Sequence, residues 1–133
     1  MRERQRFETE TELGNKGRWM FKFEKLEVWK KAVVLYEQSS VVSRSIEQKD
    51  QFSLGEQVRR AALSISTNIA EGTGREGEKA SRHFFNIAKG SVYEVVSLLH
   101  VMQSRGYIPG KEYSALYGHC DEIARMPSGI LRK

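Results

Sequence analysis

From Phe23 to Ile46 the apolar residues recur at helical spacing rather than in alternation. Leu26, Trp29, Val33 and Tyr36 fall on one stripe, and Val28, Ala32, Leu35, Val42 and Ile46 on a second. A helix apolar on two sides is expected to be buried on both. The polar run from Glu47 to Gln51 breaks the pattern and reads as a connection. Ser53, followed three residues later by Glu56, has the spacing of a capping box and makes Ser53 the expected N-cap of a second helix. Its stripe is Leu54, Val58, Ala61, Ile65 and Ile69, and it stops there. Gly72 then stands where a left-handed residue would end the helix. The run Ala70 to Glu76 therefore reads as a helix stop and a loop. A phosphate-cradling loop would need a preceding strand and a Gly-Lys-Ser/Thr, and neither is present.

A third helix is expected from Gly77 to Arg105, about 40 Å long. Phe84, Ala88, Ser91, Val95, Leu98 and Met102 line its main stripe, widened by Phe85, Val92, Val96 and Leu99. Gly106 ends it. A fourth helix follows Pro109, with Tyr113, Leu116, Tyr117, Cys120, Ile123 and Ala124 inward. Pro127 closes it ahead of a tail in which Ile130 and Leu131 can dock. No stretch alternates like a strand. Four amphipathic helices with short connections predict an all-α, antiparallel up-down-up-down four-helix bundle over residues 23–133.

Residues 1–22 hold few apolar groups and carry six basic against four acidic side chains, which predicts a flexible charged extension. The whole chain of 133 residues carries a formal charge of +5, which favours polyanionic partners. A single cysteine, Cys120, excludes an intramolecular disulfide and fits a reducing cytoplasm. Cys120 lies on an apolar stripe, so it is read as a small core residue. No run is long and apolar enough for a membrane helix. His83, His100 and His119 are scattered, the Glu-x-x-His pattern of di-iron bundles is missing, and no nucleophile elbow, zinc spacing or nucleotide fingerprint is found. The chain is expected to have no catalytic residue, metal or cofactor.

Three blocks carry a resemblance. "FEKLEVWKKAVVLYEQS", "LGEQVRRAALSISTNIAEGTGR" and "FFNIAKGSVYEVVSLLHVMQSRGYI" resemble the four-helix-bundle proteins encoded in intervening sequences of bacterial 23S rRNA genes, also called the S23 ribosomal protein family. The match runs from about Phe23 to Tyr117. It departs from the family pattern at Ser66, where proline is usual, implying a straighter second helix. The resemblance implies a homopentamer. It also implies a likeness in fold to the accessory protein of diversity-generating retroelements, which binds RNA and a reverse transcriptase.

On helix two, Arg60, Ser64, Thr67 and Glu71 form one row roughly 120–140° from the apolar stripe. The row reads either as a solvated face or as a subunit contact, since its small central residues admit another helix. Arg60 and Glu71 lie about 16 Å apart along the axis, so each needs a partner elsewhere. Asn68, at the stripe's edge, is expected to bond between helices and fix their register; ligand binding is the lesser alternative. With Glu71 and Gly72 it completes the structural hallmark. Arg59, Arg60, Arg75, Lys79, Arg82 and Lys89 are the candidate nucleic-acid contacts. The expected function is a non-catalytic oligomer that holds structured RNA or other nucleic acid by its phosphates, without sequence specificity. The alternatives are a retroelement accessory protein with a reverse transcriptase partner, and a small-molecule-binding protein or enzyme.

Overall fold

The computed structural model describes residues 21–126. Residues 1–20 of the expected extension, the Pro127 stop and the tail with Ile130 and Leu131 lie outside the described residues. Four long helices carry the fold: α1 (Glu27–Ser43), α2 (Glu56–Thr73), α3 (Glu78–Ser104) and α4 (Gly110–Ala124). A 3₁₀ turn, Lys22–Lys25, precedes α1. No strand occurs among the described residues.

Helices adjacent in sequence pack on one another, and α4 closes the set against α1. The α2–α3 contact is the most extensive. Along it Gln57 meets Glu94, Ser64 meets Ser91, and Gly72 meets Phe85, so partner numbers fall as α2 numbers rise and the two run antiparallel. Across the bundle, Lys31 meets Glu122 and Gln38 meets His119, giving α1 and α4 the same relation.

Most of the core falls on the expected stripes, but Trp29, Val33 and Tyr36 are only half-buried, so α1 is buried on one side and not on two, and Phe84, Leu98 and Tyr113 are half-buried as well. Val28, Ala32 and Leu35 of α1, Val58, Ala61, Ala62, Ile65 and Ile69 of α2, Phe85, Ala88, Val92, Val95, Leu99 and Met102 of α3, and Leu116, Cys120 and Ile123 of α4 are buried. Each large side chain among them contributes about 1.5–3 kcal/mol by leaving water. Tyr117 departs from expectation. It is 45 % exposed, because the inner face of α4 narrows to the Leu116–Cys120–Ile123 line.

The connection between α1 and α2 also differs. Glu47 is extended (φ −60°, ψ 151°), Gln48–Asp50 is already helical, and Gln51–Gly55 is a π-helical turn that runs into α2. Ser53 therefore lies inside a helical path and caps nothing; its hydroxyl donates to the Asp50 carbonyl at 3.3 Å. The amide of Gln51 donates to the carbonyls of Ser43 and Ile46, both at 2.9 Å, tying the connection to the end of α1.

Gly72 is not a left-handed stop either. Among the described residues, the positive-φ glycines are Gly77 (φ 89°) and Gly106 (φ 79°). Gly72 lies within α2, where a Cβ would stand 2.3 Å from the Phe85 ring, so its role is close approach of α3. Gly106 ends α3 as expected: Gly106 N–H reaches the Gln103 carbonyl at 3.0 Å and Tyr107 N–H the Met102 carbonyl at 2.9 Å, the bond pair of a Schellman end.

Candidate nucleic-acid interface

The six candidate cations separate into groups. Arg59 turns inward: it is half-buried, and its guanidinium donates to the Ser43 hydroxyl at 3.1 Å and to Gln51 Oε1 at 3.2 Å. Gly55 leaves room for that network, since a Cβ there would lie 2.5 Å from Gln51 Oε1. Arg60 is exposed on the rim of a cleft between α2 and α3, with Phe52, Gln57, Ser64, Ser91 and Glu94. Arg75 pairs with Glu71 one turn earlier and lies over the Phe84 ring, 4.6 Å from its centroid.

Lys79, Arg82 and Lys89 are exposed on α3. Their spacings of three and seven residues put them on one stripe of the helix. Arg82 shares its charge with Glu78 at 3.5 Å, an exposed pair of small energetic weight. Lys89 borders a cavity of about 70 Å³ with Asn86, Ile65, Ile69, Phe85 and the end of α4 at Ile123. That volume is small, and Asn86 and Lys89 are the polar residues that line it.

The hallmark residues have local duties. Asn68 does not bond across to another helix: its amide donates to the Ser64 carbonyl at 2.8 Å and to the Ser64 hydroxyl at 2.9 Å. The link between helices is one step on, where the Ser64 and Ser91 hydroxyls share a 2.8 Å hydrogen bond. An amide one turn along a helix satisfies the serine carbonyl and orients the hydroxyl that meets α3. Phe52 (82 %) stands in the open at the cleft between α2 and α3, and Leu63 (45 %) of α2 and Ile87 (39 %) of α3 are also exposed.

At the far end of the α2–α3 pair lies a cluster that sequence reasoning missed. Tyr107, buried at 8 % exposure, donates its phenolic hydrogen to Asp50, and Arg105 donates to the same carboxylate at 2.7 Å. The Tyr107 hydrogen bond, with Arg105 adding to it, holds the Asp50 carboxyl below its ordinary value despite some desolvation. The same bond holds the Tyr107 phenol above its ordinary value. Ser45 donates to the Tyr107 carbonyl at 2.7 Å, closing the corner.

Burial pushes the Cys120 thiol up to about 12, so it stays protonated as a packed core group. His119 donates from Nδ1 to Gln38 Oε1 at 2.7 Å. Among the described residues no group of three His, Cys, Asp or Glu converges as metal ligands, and no helix is long and apolar enough to cross a membrane. Residues 21–126 carry fifteen Lys and Arg against thirteen Asp and Glu. Arg132 and Lys133 supply much of the positive surplus expected on the bundle, and they lie outside the described residues. The described residues are thus close to balanced in charge, and their cations differ mainly in local placement.

A model of the 23S rRNA-intervening sequence protein family matches residues 24–129. No curated protein matches the chain. Among solved structures, the chain is similar to a protein of unknown function from the S23 ribosomal protein family of Bacteroides thetaiotaomicron VPI-5482. The TM-score is 0.71 at 20% identity, covering 80% of this chain and 99% of that one. A likeness at that identity is a likeness of fold.

Proposed function

The chain belongs to the 23S rRNA-intervening sequence protein family, and from that premise we propose that it is a non-catalytic, self-assembling scaffold for nucleic acid. The bundle is up-down-up-down and five copies close into a ring, which holds structured RNA by its phosphates without reading sequence. The observation that carries the reading is the exposed stripe Lys79, Arg82 and Lys89 on α3, which a ring presents five times over. The open apolar side chains Phe52 at the cleft, Leu63 on α2 and Ile87 on α3 support an outer face of this helix pair as the subunit contact.

Filter binding to a structured RNA across a salt series tests it. The expected result is binding at low salt that falls steeply as salt rises and weakens in the Lys79→Ala, Lys89→Ala double variant. Absence of binding at low salt, or binding indifferent to both salt and that variant, overturns it.

A further inference from the structure

The aromatic residues on the apolar stripes are expected inward, but the structure leaves Tyr93 of α3 and Tyr117 of α4 open beside the cations. On α3, Tyr93 follows Lys89 by four residues and precedes His100 by seven, so Lys79, Arg82, Lys89, Tyr93 and His100 share one side of the helix. Tyr93 is 66 % exposed. His100 is exposed and fixes the far end, with Nε2 2.8 Å from the Tyr113 hydroxyl and its ring edge-on to Tyr113 at 5.3 Å. Tyr117 of α4 lies beside both, its ring 5.9 Å from Tyr113 and 6.3 Å from His100. It is 45 % exposed. The α3–α4 side therefore begins with cations and ends with aromatic faces over about 32 Å.

A duplex offers phosphates but keeps its base faces stacked inside. An unpaired strand offers both phosphates and base faces, and aromatic side chains recognise the latter without reading identity. The acidic groups on this side are each engaged by a neighbour: Glu78 with Arg82, and Asp121 with Arg125 at 2.9 Å. They do not bar a strand from the cation stripe.

We propose that the α3–α4 side is a track for single-stranded nucleic acid, with phosphates at Lys79, Arg82 and Lys89 and bases stacked on Tyr93 and Tyr117. The proposal rests on the nucleic-acid reading above and narrows its partner from structured to unpaired segments. Neither tyrosine belongs to the core, so each can be removed without unfolding the chain.

The test compares a short unpaired RNA oligonucleotide with its own duplex on the full chain, by fluorescence anisotropy. The expected result is tighter binding of the single strand. Tyr93→Ala should then weaken that strand by about 5- to 100-fold and leave the duplex unchanged. Tyr93→Phe should restore it, because stacking needs the ring and not the hydroxyl. Lys89→Ala should instead lower the salt slope by about 0.7. Equal affinity for strand and duplex, or no effect of Tyr93→Ala and Tyr117→Ala together, overturns the track while leaving phosphate binding standing. No binding of either probe removes both readings. Circular dichroism of each variant separates lost binding from lost fold.

Discussion

The two ends of the α2–α3 pair are built from similar residue types and do opposite things. At one end Glu71, Arg75 and Glu78 lie on the surface, and their pairs hold no burial in place. Packing there depends on a residue with no side chain, Gly72, which lets the Phe85 ring lie against the helix backbone. At the other end Asp50, Arg105 and Tyr107 converge on one carboxylate, and Arg59, Ser43 and Gln51 form a second polar knot. Charged residues stay on the surface at the first end and tie the chain together at the second. Partners and burial, not residue type, set the difference.

The sharpest break is Gly72→Ala. The new methyl meets an aromatic ring that is itself 4 % exposed and has little room to retreat. A loss of about 2–3 kcal/mol is expected, read from the denaturant midpoint. Gly74→Ala is the control, since a Cβ there meets nothing nearer than the Glu71 carbonyl at 3.7 Å, and it should cost under about 0.5 kcal/mol.

At the other end, Tyr107→Phe should lower the melting temperature at neutral pH. The Asp50 carboxyl sits below its ordinary value when folded, so its stabilisation is complete above the ordinary carboxylate range and fades as pH falls through the lowered value. The gap between native protein and variant should therefore be widest at neutral pH and close in acid. A gap that does not depend on pH would assign the effect to packing.

The smallest effects compare two serines one turn apart on α1. Ser43 accepts from Arg59 and donates to the Ser40 carbonyl at 2.8 Å, so Ser43→Ala should cost about 1–2 kcal/mol. The Ser39 hydroxyl is equally buried and has no partner. Ser39→Ala should be neutral or mildly stabilising, within about 0.5 kcal/mol. Thermal unfolding of the two variants side by side checks the contrast.

Periodicity located α3, α4 and the centre of the core, because burial of a long helix repeats every turn and sums over many residues, but it drew the apolar faces too wide, taking in the half-buried Trp29, Val33, Tyr36 and Phe84. It missed what depends on a single contact. Ser53 had the right spacing for a cap, but the helical path had already begun at Gln48. Gly72 looked like a helix stop because its neighbour Phe85 is thirteen residues away in sequence. Arg59 read as a surface cation because nothing near it announces Ser43 and Gln51 as partners. The Asp50–Tyr107 bond spans 57 residues, and no local pattern encodes it. On the candidate interface, Lys79, Arg82 and Lys89 were legible as one exposed stripe. Tyr117 was not, because a tyrosine at helical spacing looks like core until α4 is seen to narrow.

The central claim is that the open side chains Phe52, Leu63 and Ile87 meet another copy, so that one chain's modest cation stripe becomes a repeated one. Light scattering of the purified full chain at micromolar concentration tests this most directly. The account predicts a single species of roughly five times the 15.3 kDa chain mass, falling toward monomer in a Leu63→Glu, Ile87→Glu variant that keeps its helical circular dichroism. A native chain that scatters as a clean monomer at that concentration contradicts it.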